Sequence, residues 1–332
     1  YYTFVCSLPY LNFEGEPPMS PDEFIERAAP WLSEEELKAL TDPNPETGVA
    51  AEWALFERSF RSAVAQVRAA KLGKEFQPDR LKTDVMDGAT ICGNALAALG
   101  QEDGFAVDST KDPSVFDGDL SKYSAFVFYT CGNLDAPKDG QPGMSQQGIL
   151  NFYSAIRGGV GLLGIHSATD TWKTPGPLWE NQPFNDRKGY TNLIGAQFVL
   201  HGNQQETKLR IIEKGFPFLG IQGDELTCFD EWYTLKNFNP DLHVVLLQET
   251  AGMDDSGDGC YNRPPYPSTW IRREGKGKVA YTSLGHNNSS FWEPKMKGIV
   301  SDLIKFTTGQ IEVDTTPNID SVCPDCTILR RA

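Results

Sequence analysis

Basic residues are scarce in this chain. It has 30 Lys and Arg against 45 Asp and Glu, a formal net charge of −15. That deficit argues against nucleic acid and against anionic lipid surfaces as partners, because both select basic patches. No apolar run approaches the length of a membrane span, and the first residues lack a basic stretch followed by an apolar one. Together these absences give a cytoplasmic expectation, although a leader already removed would leave the same sequence. The seven cysteines, at positions 6, 92, 131, 228, 260, 323 and 326, are scattered and odd in number, so a disulfide framework is not expected. There is no G-x-S-x-G elbow, no Walker loop, no H-E-x-x-H, no internal repeat and no low-complexity tract. What remains is a chain of 332 residues, long enough to bury a real core in one large domain or two ordinary ones.

The first eighty residues differ from the rest. Residues 1–8 (YYTFVCSL) form a short β-prone run stopped by Pro9. Ser20-Pro21-Asp22-Glu23 and Ser33-Glu34-Glu35-Glu36 carry helix-capping patterns. A longer helix is expected over 50–72, with Trp53, Phe56, Phe60, Val64 and Val67 on one face. From about residue 84 helix and strand alternate. Helices are expected at 89–99, 145–157 and 295–306, and strands at 105–108, 123–130, 160–165, 208–213, 244–248, 269–272 and 279–283. Alternation of this kind argues for an α/β fold with an open, doubly wound, mostly parallel sheet and helices on both faces. The residues after Gly309 read as an extended, weakly ordered tail.

The stretch 158–172, GGVGLLGIHSATDTW, satisfies the dinucleotide fingerprint G-x-G-x-x-G at Gly159, Gly161 and Gly164. Such a loop must follow a strand and open a helix. Here the glycines follow an amphipathic helix and lead into an apolar strand. Gly158-Gly159 therefore reads as a helix C-cap, and Gly161 and Gly164 as points of close backbone approach. His166 then lies at the carboxyl end of a strand, where open α/β sheets bind their ligands.

Of the four histidines, His166, His201 and His286 each follow an apolar segment, and His286 is trailed by a polar run, Asn287-Asn288-Ser289-Ser290. His243 enters a strand and looks structural. Convergent histidines with a carboxylate can bind a divalent metal or carry out acid–base chemistry, and Asp170, Asp230 and Glu231 are the candidate carboxylates. Ser167, Asp170 and Trp172 offer hydrogen bonds and an aromatic face to a sugar ring. Cys323-Pro324-Asp325-Cys326 is a lone C-x-x-C without the setting of a zinc or thioredoxin-type site. Cys131 follows a strand, but a Pro/Gly-rich loop comes after it instead of a helix.

The segments GFAVDSTKDPSVF, YSAFVFYTCG, GVGLLGIHSATDTW, NLIGAQFVLHG, DEWYTLKNF and STWIRREGKGKVAYTSLGH resemble, in order, those of the ThuA-like (trehalose-utilisation) proteins. The resemblance covers about residues 84–312 and implies a flavodoxin-like fold of the class I glutamine-amidotransferase type without an amidotransferase nucleophile. It implies a sugar-related role, on a trehalose-like or 3-keto disaccharide. It also carries His166, Asp170, His201, Glu231, Tyr233 and His286 over as site residues. Two departures stand out: His201-Gly202-Asn203-Gln204 stands where an H-P-W-like sequence is frequent, and Lys214-Gly215-Phe216-Pro217 lacks a histidine often found before that proline. Residues 82–87 (KTDVMD) also lack the usual first strand. An empty slot inside the sheet would leave backbone groups unpaired, so residues 1–11 are assigned to it, residues 12–83 to a helical insertion and 313–332 to the tail. Residues 1–72 are also similar to the start of a bacterial family of unknown function encoded near V/A-type ATPase genes.

The sequence thus predicts a hydrolase-like enzyme with His166, Glu231 and His286 as its catalytic residues and Ser167, Asp170, Trp172, His201 and Tyr233 binding the sugar. No cofactor is expected, a divalent metal is left open, and so is a homo-oligomer; nucleic acid and membranes are not expected partners. A non-catalytic sugar- or protein-binding module and a metal-dependent hydrolase are the alternatives.

Overall fold

In the computed structural model, which describes residues 20–31, 88–137, 142–217, 223–255, 257, 259–286 and 293–330, the chain divides into two units, Tyr1–Ile91 and Cys92–Ala332. In the first, helix α1 (Pro21–Ala28) begins as its capping pattern dictates. The Ser20 hydroxyl accepts from the Glu23 amide at 3.2 Å, satisfying one orphan donor of the first turn. A single 3₁₀ turn, Ala29–Trp31, follows. The strand expected at 1–11, the cap at 33–36, the helix at 50–72 and the remainder of the 12–83 insertion lie outside the described residues.

The second unit begins within α2 (Gly88–Asp103) and holds β1 (Ala125–Phe128), α3 (Gln146–Gly158), β2 (Gly161–Ile165), α4 (Gly189–Ile194), β3 (Gln197–His201), β4 (Gln205–Ile211), β5 (Glu225–Asp230), β6 (Tyr233–Lys236), β7 (His243–Gln248), β8 (Tyr266–Glu274), β9 (Gly277–Thr282), α5 (Pro294–Thr307) and α6 (Ile319–Val322). Seven strands make one sheet in the order β1-β2-β9-β8-β7-β4-β5, and β3 pairs with β6 in a separate ribbon. β1–β2 and β2–β9 are parallel, whereas β9–β8, β8–β7, β7–β4 and β4–β5 are antiparallel. The expectation of a mostly parallel sheet therefore holds only on the β1 side. At β8–β9 the reason is chain length: only Gly275 and Lys276 separate the strands, far fewer residues than a parallel crossover needs. Residues 105–108, expected as a strand, carry no ladder among the described residues.

Glycines in β2 show how the layers close. Gly159 caps α3 with φ 128°, so the three-glycine pattern belongs to a helix end and a strand entry. A β-carbon on Gly161 would sit 2.3 Å from the Thr307 carbonyl oxygen of α5; one on Gly164 would sit 2.6 Å from Ile194 of α4. Positions of opposite parity in a strand point to opposite faces, so α5 and α4 cover the two sides of the sheet. On the α4 side Phe152, Ile156, Leu162, Trp270 and Tyr281 share one buried cluster, and the Trp270 indole donates to the Ile194 carbonyl at 2.8 Å. On the α5 side Ile299, Leu303 and Phe306 are buried.

The tail corrects an expectation. After an extended stretch it forms α6, and Ile319, Cys323, Cys326 and Leu329 are buried. Arg263, fully buried, donates to Leu235 O at 2.7 Å and Cys326 O at 2.6 Å. Long-range packing, invisible to local periodicity, secures this segment. No helix among the described residues is long and apolar enough to cross a membrane.

Replacing Gly161 by Ala forces β2 and the last turn of α5 apart, because the obstructing atoms are backbone. The expected loss is about 1–3 kcal/mol, read as a lower urea midpoint; an unchanged midpoint would contradict this packing.

Candidate active site at the carboxyl edge of the sheet

β2 and β9 run parallel, so their carboxyl ends lie on the same edge. Four successive antiparallel pairings lead from β9 through β8, β7 and β4 to β5, which restores the direction. The carboxyl end of β5 therefore reaches that edge too. His166 follows β2, Asp230 ends β5 with Glu231 just after it, and Gly285-His286 follow β9. The predicted convergence of His166, Glu231 and His286 is what the structure shows.

His166 opens a 3₁₀ turn (His166–Asp170) with φ 46°, a left-handed conformation that costs a non-glycine residue about 1–3 kcal/mol and persists only where its surroundings enforce it. They do so here. The Tyr281 hydroxyl donates to His166 O at 2.8 Å, and His166 Nδ1 lies 2.8 Å from Ser283 O. A carbonyl can only accept, so Nδ1 carries a proton, and in the neutral form of the ring Nε2 presents a lone pair. That Nε2 lies 3.4 Å from Glu231 Oε2 and 3.3 Å from His286 Nδ1, and the last two atoms are 3.2 Å apart. The other carboxylate oxygen of Glu231, Oε1, faces His201 Nδ1 at 3.3 Å, which also donates to Gly202 O at 3.0 Å. Tyr233, paired with His201 across the β3–β6 ribbon, lays its ring 4.1 Å from that of His166.

Electrostatics follow the geometry. Burial acts to raise the Glu231 carboxyl, but a hydrogen bond from the Nε2-protonated form of His166, one from His286, and the charges of His286 and His201 outweigh it and hold the pKa at about 2. The hydrogen bond to Glu231 raises His286, against the opposing effect of burial. His166, Glu231 and His286 form a group of side chains among the described residues able to hold a metal ion, with ligand atoms within 4.8 Å of one another.

Asp230, a carboxylate weighed in the sequence but not placed among the site residues, ties the site together. Its Oδ2 accepts from the Gly285 amide at 2.7 Å, and its Oδ1 accepts from the amides of Glu231 at 2.8 Å and His286 at 3.1 Å. Burial pushes its carboxyl pKa up in spite of these donors. Tyr129, at the end of β1, donates to Gly285 O at 3.0 Å. The only local signal for either residue is a position just at the end of a strand.

Other predicted residues stand apart from this hydrogen-bonded group. Asp170 pairs with Lys173 at 2.7 Å. Trp172 donates its indole N–H to Asp135 at 2.7 Å and packs on Tyr190 and Phe152. Ser167 is half-buried in the 3₁₀ turn. His243 is structural, as expected, with Nδ1 on Thr316 O at 2.6 Å and Nε2 on Glu213 at 2.8 Å. The run 287–290 lies outside the described residues.

Among solved structures, the chain is similar to a ThuA-like protein from Bacteroides uniformis ATCC 8492, at 17% identity over 66% of this chain and 84% of that one, with a TM-score of 0.47. It is also similar to a ThuA-like protein from Parabacteroides merdae ATCC 43184, at 17% identity over 73% of this chain and 94% of that one, with a TM-score of 0.44. No curated protein matches it. A family model described as trehalose utilisation, ThuA, matches residues 87–307 and so does not extend to the N-terminal stretch likened to the ATPase-linked family. That match contains the whole sheet and every residue of the His166 cluster, and the chain belongs to the ThuA (trehalose utilisation) family, with its flavodoxin-like α/β fold.

Proposed function

We propose that this chain is a carbohydrate-active enzyme that cleaves a C–O bond of a trehalose-like or 3-keto disaccharide by acid–base chemistry. The observation that carries the reading is the meeting of His166, Glu231 and His286 at one strand edge, with His166 Nε2 aimed into the group. His166 Nε2 takes a proton from a water or substrate oxygen, and His286 returns one to the departing oxygen. With water as the nucleophile, one C–O bond is broken, one is formed, and the protons balance. Glu231 holds both rings in register and stabilises whichever is protonated. The family description, trehalose utilisation, supports a sugar as the substrate, and the exposed side of His201, whose side chain is 44% accessible, supports a role at the sugar-facing rim.

Turnover of trehalose and its 3-keto derivative by the full chain, followed by product chromatography, tests the reading. His166→Ala and Glu231→Gln are expected to lower kcat by roughly 10²–10⁴-fold while both variants keep a cooperative melt. Sugar binding without turnover by the wild-type chain would instead establish a non-catalytic binding module.

Asp230 is a positioning residue in this scheme, and Asp230→Asn makes that measurable. An amide cannot accept from all three backbone N–H groups that the carboxylate serves. The variant is expected to lose about 1–3 kcal/mol of stability and roughly 10–100-fold in kcat, with little change in KM. A loss of stability with kcat intact would make Asp230 purely structural.

A further inference from the structure

We propose that His166 Nε2, Glu231 Oε2 and His286 Nδ1 form an open-sided site for a first-row divalent transition metal of the zinc class. The inference rests on the reading of this cluster as the functional centre, but neither on the identity of the sugar nor on the proton roles given to His166 and His286, which belong to the metal-free state.

The first argument is the size of the triangle. Its edges are 3.4, 3.3 and 3.2 Å. A tetrahedral ion bound at about 2.0–2.1 Å separates its ligand atoms by about 3.3–3.4 Å. Charge-assisted hydrogen bonds between an imidazolium and a carboxylate close to about 2.7–2.9 Å, and none of the three edges does so. The group has the span of a coordination face.

The second argument is protonation. The Ser283 carbonyl fixes the proton of His166 on Nδ1, leaving Nε2 as a lone-pair donor facing a carboxylate oxygen. With His166 neutral, two acceptors oppose each other unless a proton or a cation lies between them. A ligating histidine characteristically gives its other N–H to a backbone carbonyl or a carboxylate, which is the arrangement at His166.

The third argument is the surrounding shell. His201 Nδ1 faces Glu231 Oε1, leaving Oε2 for monodentate ligation. Asp230 anchors the main chain of two of the three ligands through the Glu231 and His286 amides. Two imidazoles and one carboxylate suit zinc, iron, cobalt or manganese better than magnesium or calcium, which prefer all-oxygen shells. Three protein ligands leave coordination positions for water or a sugar oxygen, as in catalytic sites and unlike closed structural ones. The departures at His201-Gly202-Asn203-Gln204 and Lys214-Gly215-Phe216-Pro217 leave this set intact, because none of its members comes from those segments.

The test is a Zn²⁺ titration of the chelator-treated full chain by calorimetry, with elemental analysis of protein purified without chelator. One equivalent per chain is expected, with binding weakened at least about 100-fold in Glu231→Gln and His286→Ala and about 10–100-fold in His201→Ala. The Cys323→Ser/Cys326→Ser double variant should bind as the wild type does, which separates this site from the C-x-x-C. Co²⁺ loading should give ligand-field absorption without a thiolate charge-transfer band, a readout available even for variants of reduced stability. Absence of stoichiometric binding in the wild type, or undiminished binding in both Glu231→Gln and His286→Ala, would overturn the site. Metal binding without sugar turnover would uphold the site and overturn the acid–base reading.

Discussion

The buried Asp230 carboxylate is the interaction on which the rest of the site depends. It accepts from the amides of Gly285, Glu231 and His286, joining the end of β5, at one margin of the sheet, to the loop after β9, four places away in the strand order. Hydrogen bonds of a charged acceptor to backbone N–H groups are among the stronger ones a protein makes, and here they act on peptide units whose side chains are Glu231 and His286. Without that link the two side chains would sit on independent loops. With it, their separation follows from the sheet itself, and the third partner, His166, is set by an equally rigid pair of contacts to Tyr281 and Ser283.

Backbone strain and tautomer choice are coupled at His166. The left-handed φ of 46° turns the residue at the carboxyl end of β2, and the Nδ1–H bond to Ser283 then decides which nitrogen faces the carboxylate. Both features need β2 and β9 as immediate parallel neighbours, since Tyr281 and Ser283 lie at the end of β9 and just beyond it. Gly161 and Gly164 permit this by letting α5 and α4 close on β2 from opposite faces. The glycines that imitate a nucleotide loop thus serve the site indirectly, through packing.

Much of this was legible in the sequence. The order helix–glycine–strand excluded a dinucleotide loop, the apolar runs located β1, β2, β7, β8 and β9, and the position of histidines after apolar segments singled out His166, His201 and His286. Other features were not legible, for physical reasons. β5 and β6 lack a distinctive pattern because each owes its place to a partner, β4 in one case and β3 in the other. Direction in the sheet was misjudged because an antiparallel hairpin at Gly275-Lys276 reads the same in composition as a loop between parallel strands. The tail was misjudged because its burial comes from Arg263 and the core cluster. The packing of the Trp172 ring on Phe152 and Tyr190 is likewise a long-range choice that no local rule foretells.

The account's central claim is that His166, Glu231 and His286 are a single functional centre. A crystal structure of the full chain soaked with a 3-keto or trehalose-like disaccharide tests it most directly. The account predicts a sugar oxygen, or a metal-bound oxygen, within hydrogen-bond reach of His166 and His286. A disaccharide bound elsewhere on the chain, with His166 and His286 untouched, would contradict it.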